Sequence, residues 1–170
     1  MKVLSTIRDS DFGLDTPMPE SYIERTAVRA VIFNSKGEVG LLHSTTSNYY
    51  SLPGGGVNND EEIVDALKRE ADEEVGCKIK NIREFCSVEE FRNQSRIHQV
   101  SHCFIADLDG EVGESHPEKN EELLGFEICF FDMENALSIM KSEASPVYHA
   151  NYEIKRNLEV LIEARKFLGV

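Results

Sequence analysis

Basic residues are scarce in this chain: 18 Lys and Arg face 31 Asp and Glu, leaving a net charge of −13. Nucleic-acid polymers draw most of their affinity from cations set against phosphates. A chain this acidic, whose basic residues lie only in scattered pairs, is not expected to hold one. Long apolar runs are missing as well. None approaches the ~18 residues of a membrane span, and Met1-Lys2-Val3-Leu4-Ser5 lacks a signal-peptide pattern. The expectation is a cytoplasmic protein with no membrane partner. Only four cysteines occur (Cys77, Cys86, Cys103 and Cys129), none in a CxxC pair and each in or beside an apolar segment. That argues for buried free thiols over disulfides or metal ligands. There is no internal repeat and no low-complexity tract.

What is present suits one globular unit over residues 1–170, with 41% hydrophobic residues to build a core. Val3 to Ile7 reads as a short strand, and residues up to 20 as a surface arm. Thr26 to Phe33 is a central strand, Asn34-Ser-Lys-Gly37 a hairpin turn, and Glu38 to His43 the returning strand. Tyr49 to Leu52 is a short strand entering a glycine loop. Ile79 to Phe91 and Ile97 to Leu108 alternate as a long antiparallel pair, and Phe126 to Phe131 is a further strand. Asp132 caps a helix to about Lys141. A last helix, within 150–169, carries Ile154, Leu158, Leu161, Ala164 and Leu168 at helical spacing and stops at Gly169. Strands, one helix, more strands and then helices give a mixed sheet between helices.

The chain is organised around residues 54–77, GGGVNNDEEIVDALKREADEEVGC. Pro53 and three glycines open it, and glycines let other groups approach the backbone closely. Asp60 is the expected N-cap and Gly76 the C-terminal stop. Wound as a helix from Glu61 to Val75, the segment places Val64, Leu67, Ala71 and Val75 on one core-facing stripe. Glu70, Glu73 and Glu74 fall at i, i+3 and i+4 beside it. Residues 55–77 hold eight acids against Lys68 and Arg69, a net of −6, nearly half the excess of the whole chain. Carboxylates this close repel one another. From the residues alone, a solvated acidic face and a site for a hard divalent cation remain equally open.

Spacing separates the two. Five residues lie between Gly55 and Glu61 and seven between Glu61 and Arg69, after which Arg69-Glu70-Ala71-Asp72-Glu73-Glu74-Val75-Gly76-Cys77 follows. This resembles the signature of the Nudix (MutT-like) hydrolases at every charged and glycine position. Ala71 and Cys77 stand where larger aliphatics are usual, and Asn59-Asp60 replaces a common Pro-Gly. The resemblance implies an α/β/α sandwich with a mixed, partly antiparallel sheet. It also implies cleavage of a phosphoanhydride in a nucleoside diphosphate derivative, with Mg²⁺ or Mn²⁺ as cofactor. Glu70, Glu73 and Glu74 match the catalytic and metal-binding positions, and Gly54 or Gly55 is expected to offer a carbonyl to the metal. Gly55, Glu61, Arg69 and Gly76 match structural positions of the box, with Arg69 pointing away from the carboxylates and toward Glu61. Family members are often dimers, so a homodimer is an expectation.

Outside the box the candidates are less specific. Tyr49 or Tyr50 is placed to stack on a base, or else is strand packing. Arg92 and Arg96 would hold phosphate oxygens, or else are solvated hairpin arginines. His98 and His102 have i, i+4 spacing, but in an alternating segment they read as polar strand residues rather than a zinc pair. Family members often supply a further carboxylate from the second half of the chain, and Glu121 or Glu122 is favoured over Glu127. The expected substrate is a small nucleotide: a nucleoside triphosphate, a nucleotide sugar or a dinucleoside polyphosphate. The alternative is a Nudix-fold nucleotide sensor without catalysis, a class that often loses the box carboxylates this chain retains.

Overall fold

The structure, a computed structural model, describes residues 2–46, 48–113 and 126–169. The alternating segments pair into a mixed seven-stranded sheet: β1 (Val3–Arg8), β2 (Ile23–Phe33), β3 (Val39–Ser44), β4 (Tyr49–Ser51), β5 (Lys78–Arg92), β6 (Ile97–Asp109) and β7 (Phe126–Phe131). Their order is β1-β5-β6-β2-β3-β4, with β7 added alongside β3. The long β5–β6 pair is antiparallel as expected, whereas β1 joins β5, and β2 joins β6, in parallel.

The β2–β3 hairpin is closed at its tip by Gly37 N–H donating to the Asn34 carbonyl at 3.0 Å. It then splays, and only Ile32↔Gly40 and Phe33↔Val39 are in register. The free edge of β2 is taken by the glycine loop. Ala30 N–H donates to the Pro53 carbonyl and Val28 N–H to the Gly55 carbonyl, both at 2.9 Å, while Val57 N–H donates to Thr26 at 3.0 Å. The loop is thus stitched to the sheet as a partner strand, because backbone groups beside a buried strand must be paired.

Helix α1 (Ile63–Glu70) runs directly into a π-helical turn, Ala71–Val75. The expected cap at Asp60 is not the one formed. Asp60 is in a left-handed turn (φ 64°), and Glu62 occupies the cap without a side-chain bond. The expected stop is present: Gly76 ends the π turn with φ 66°. The buried face is also rotated from the expected stripe. Ala66, Leu67, Glu70, Ala71, Glu74 and Val75 are buried, while Val64 is 39% exposed. The buried pairs 66–67, 70–71 and 74–75 recur every four residues, so they share the inner side of the helix and its π turn. So short a helix is marginal in isolation. It is held by packing against Val28, Ala30, Ile32, Phe104 and Ala106 of the sheet.

The opposite face of the sheet is covered by α2 (Met133–Ser142) and α3 (Tyr148–Leu168). Asp132 caps α2, its carboxylate accepting Asn135 N–H at 2.8 Å. Ala136, Leu137, Met140, Val160, Leu161 and Ala164 pack there on Ile7, Val31, Leu41 and Val88. Helices on both faces of a mixed sheet make the expected three-layer α/β/α sandwich. The face of α3 differs from the expected stripe. Tyr152, Arg156 and Asn157 are buried, and Ile154 and Leu158 only partly so.

Candidate active site

The glycine loop and the π turn of α1 meet at one point. Gly54 has φ 131°, a region closed to residues with a side chain, and a Cβ there would be driven into the Val28 carbonyl. At Gly55 a Cβ would fall inside the Glu70 carboxylate. The absence of side chains is what lets the loop lie between the sheet and two buried carboxylates. Gly54 N–H donates to Glu74 at 2.7 Å, so the turn holds the carboxylate, and the carboxylate fixes the turn.

Arg69 departs from expectation. It pairs with Glu61 as expected, Nε donating at 2.9 Å, but it does not point away from the carboxylates. Its Nη1 donates at 2.9 Å to both Glu70 and Glu73, and its Nη2 to the Gly56 carbonyl at 2.9 Å. One planar guanidinium therefore bridges three carboxylates and the loop, a geometry lysine cannot reproduce. Hydrogen bonding to Glu61, outweighing burial, raises the Arg69 pKa, and the same contact with Arg69 lowers that of Glu61. The Glu73 contact has the i, i+4 spacing of a helical ion pair, whereas the bonds to Glu61 and the Gly56 carbonyl arise only when the loop lies against the helix.

Next to the glycine loop a cavity of about 180 Å³ is lined by Arg25, Arg29, Tyr49, Glu74, Glu153 and Arg156 together with the loop backbone. Of these side chains, only Glu74 and Tyr49 were singled out from the sequence, along with Gly54 and Gly55 of the loop. Arg29 is buried, its Nη1 donating to the Val28 carbonyl at 2.6 Å and to the Gly55 carbonyl at 3.4 Å. Burial above all, with Arg156 adding repulsion, lowers its pKa to about 10. It remains a cation at neutral pH, and among the described residues it makes no direct ion pair with a carboxylate. Buried charges are ordinarily paired, so the cavity is suited to an anion. The available sign was Arg25 and Arg29 themselves: two cations four residues apart on one face of a strand that otherwise reads as core.

Arg156 enters the cavity from a fixed base. Glu90, wholly buried, accepts Arg156 Nη1 at 3.0 Å, Arg92 Nη2 at 2.7 Å and Gln99 Nε2 at 3.0 Å. Arg92 is thus consumed internally, its guanidinium also lying 5.3 Å from the Tyr152 ring. It is neither a solvated hairpin arginine nor part of the cavity lining. Arg96 sits exposed in the tight 93–96 turn with φ 57° and does not line the cavity either. Tyr50 stacks on His43 at 4.5 Å and meets Phe131 edge-on, which makes it packing. His98 and His102 lie in β6 and pair with carboxylates: His98 with Glu24 and Glu89, His102 with Glu84. The cysteines are free thiols, three buried and Cys129 half-buried. Glu121 and Glu122 lie outside the described residues, and Glu127 is in β7 opposite His43.

The donor set fits a hard divalent cation in kind through the carboxylate oxygens of Glu70, Glu73 and Glu74, while the loop carbonyls of Pro53, Gly55 and Gly56 already accept hydrogen bonds from Ala30, Val28 and Arg69. The Glu70 carboxylate packs directly on Gly55, where a Cβ would collide with it, so this carboxylate already lies against the loop backbone. The three side chains are not drawn together as a finished ligand set. Among the described residues no three acidic, His or Cys groups converge, and Arg69 lies across Glu70 and Glu73 instead.

Residues 23–151 match the NUDIX domain model. Over 59 residues the chain is 39% identical to the RNA pyrophosphohydrolase of Haemophilus influenzae (strain PittEE), a stretch covering 35% of this chain and 30% of that protein. The same protein from strain 86-028NP matches equally. Among solved structures, the MutT protein of Methanosarcina mazei Go1 is 25% identical with a TM-score of 0.53, over 81% of this chain and 94% of that one. A NUDIX hydrolase from Nitrosomonas europaea shares the fold with a TM-score of 0.59 at 15% identity, over 79% of this chain and 89% of that one.

Proposed function

This chain belongs to the NUDIX domain family, and from that premise we propose that it hydrolyses a phosphoanhydride bond in a small nucleoside diphosphate derivative, with Mg²⁺ or Mn²⁺ as cofactor. The observation that carries the proposal is the junction at the glycine loop. There Glu74 is bonded to Gly54 on the side of the acidic helix, and the same loop borders a cavity with three arginines. Glu70, Glu73 and Glu74 would hold the metal, with the Gly54 carbonyl beside them. A bound divalent cation neutralises phosphoryl oxygens and lowers the pKa of an attacking water.

The chain's own part is positioning. Arg25, Arg29 and Arg156 offset substrate charge that a molecule of net charge −13 would otherwise repel. The buried Glu90 holds Arg156 in place for that task. Arg69 keeps Glu70 and Glu73 on the loop side of the helix. Retention of all three box carboxylates favours catalysis over a nucleotide-sensing role.

A second reading comes from the Haemophilus relatives, whose name refers to RNA. The excess of acids over bases favours free nucleotides instead. The test is a parallel assay of nucleoside triphosphates, nucleotide sugars, dinucleoside polyphosphates and 5′-triphosphorylated RNA in Mg²⁺ and in Mn²⁺. Turnover of at least one free nucleotide class is expected. Efficient cleavage of RNA with negligible action on every free nucleotide would reverse the assignment.

A further inference from the structure

The arginine cavity does not end at Tyr49 and Glu153. The same two residues also line a second cavity of about 440 Å³, between β4 and the segment that leads into α3. Its walls include Pro146, Val147, His149 and Ala150. His149, Glu153 and Arg156 are spaced i, i+4 and i+7 along α3 and so lie along one face of that helix. That face runs from the larger cavity into the smaller. Along this path the chemistry changes in order: arginines, then one carboxylate, then apolar and aromatic surface.

Inorganic polyphosphate would use only the first of these. A carboxylate set next to arginines repels phosphate but accepts hydrogen bonds from hydroxyl or amino groups. The surface beyond it offers carbon rather than charge, and 440 Å³ lies within the range of small-molecule sites. The Tyr49 ring stands where the two cavities join. Burial first, and then the neighbouring Glu153 charge, push its phenol up to about 12, so it stays a protonated donor. It has no hydrogen bond, ion pair or ring contact among the described residues.

We propose that the larger cavity receives the nucleobase of the substrate, with Tyr49 and His149 as its aromatic surfaces and Glu153 accepting from the ribose or base, while the arginine cavity takes the diphosphate. This rests on the nucleotide reading of the cleft given above and adds the residues that would set base preference.

The test is equilibrium binding by calorimetry, which needs no turnover. The probes are ADP, GDP, CDP, UDP and inorganic pyrophosphate, each with Mg²⁺. At least one nucleoside diphosphate is expected to bind ten-fold or more tightly than pyrophosphate. Tyr49→Ala, and independently Ala150→Trp, which fills the cavity, should each bring that advantage to within about two-fold of unity. Glu153→Gln should change the order of preference among the four nucleotides. If no nucleoside diphosphate outbinds pyrophosphate, or if the advantage survives both Tyr49→Ala and Ala150→Trp, the proposal is overturned. Hydrolysis is scored separately. Base-dependent binding without turnover would overturn the enzymatic reading and leave this one standing, and turnover without base-dependent binding would do the reverse.

Discussion

At the scale of single residues, the site depends as much on missing atoms as on charges. Two glycines with positive φ show the difference. Gly54 (φ 131°) has the Val28 carbonyl where a Cβ would go, whereas Gly37 (φ 77°) has no atom within 4 Å. Gly37→Ala costs only the left-handed backbone, about 1–2 kcal/mol. Gly54→Ala adds a clash with main chain that cannot rotate away, so a loss of about 3 kcal/mol or more is expected. Urea unfolding of both variants checks this, and equal losses would mean the loop is not pinned to β2 as described. The glycines were legible in the sequence as a motif. The atoms they make room for were not, because Val28 and Glu70 are distant in the chain. Asp60 likewise reads as a helix cap by residue type, yet it forms a left-handed turn three residues before the helix begins.

At the scale of elements, strand and helix order followed from periodicity, while most errors came from long-range pairing. The glycine loop as a partner for β2 has no local signature. Nor does the buried Glu90, which ties β5 to α3 through Arg156. An arginine in the inner stripe of a helix is outvoted by its apolar neighbours when only spacing is counted. A second tie joins three strands: His98 on β6 lies between Glu24 of β2 and Glu89 of β5, at 2.6 and 2.9 Å. Burial works against its charge, but the two carboxylates outweigh burial and raise its pKa above the ordinary value. A raised folded-state pKa stabilises fully below the unfolded value of about 6.5 and is lost as pH rises through the folded one. Wild type should therefore exceed His98→Gln in stability by more at pH 6 than at pH 9. The difference should stay within about 1 kcal/mol, as expected for part-exposed pairs. A gap that is flat or grows with pH would show that the pairs contribute nothing.

At the scale of the whole molecule, charge and fold divide the work. The sandwich places an acidic helix on one face of the sheet and α3 on the other, and the glycine loop at the edge of β2 connects them. Nearly half of the chain's excess negative charge sits on the box helix, while three arginines gather at the cavity beside the glycine loop. The acidic box was legible in the sequence because its residues are contiguous and regularly spaced. The arginine cavity was not, because Arg25, Arg29 and Arg156 meet only after β2 and α3 pack together. No helix among the described residues is long and apolar enough to cross a membrane.

The central claim is that Glu73 and Glu74 make this cleft a divalent-dependent phosphoanhydride hydrolase. The most direct measurement is the steady-state rate on the best nucleotide substrate, with and without Mg²⁺, for wild type, Glu73→Gln and Glu74→Gln, with circular dichroism confirming the fold of each. Glutamine keeps the shape and removes the charge. Wild-type turnover should vanish on chelation and return with Mg²⁺, and each variant should lose about 10²-fold or more in kcat, the scale of losing a dominant electrostatic group. Near-wild-type rates in both folded variants, or turnover indifferent to chelation, would contradict the account.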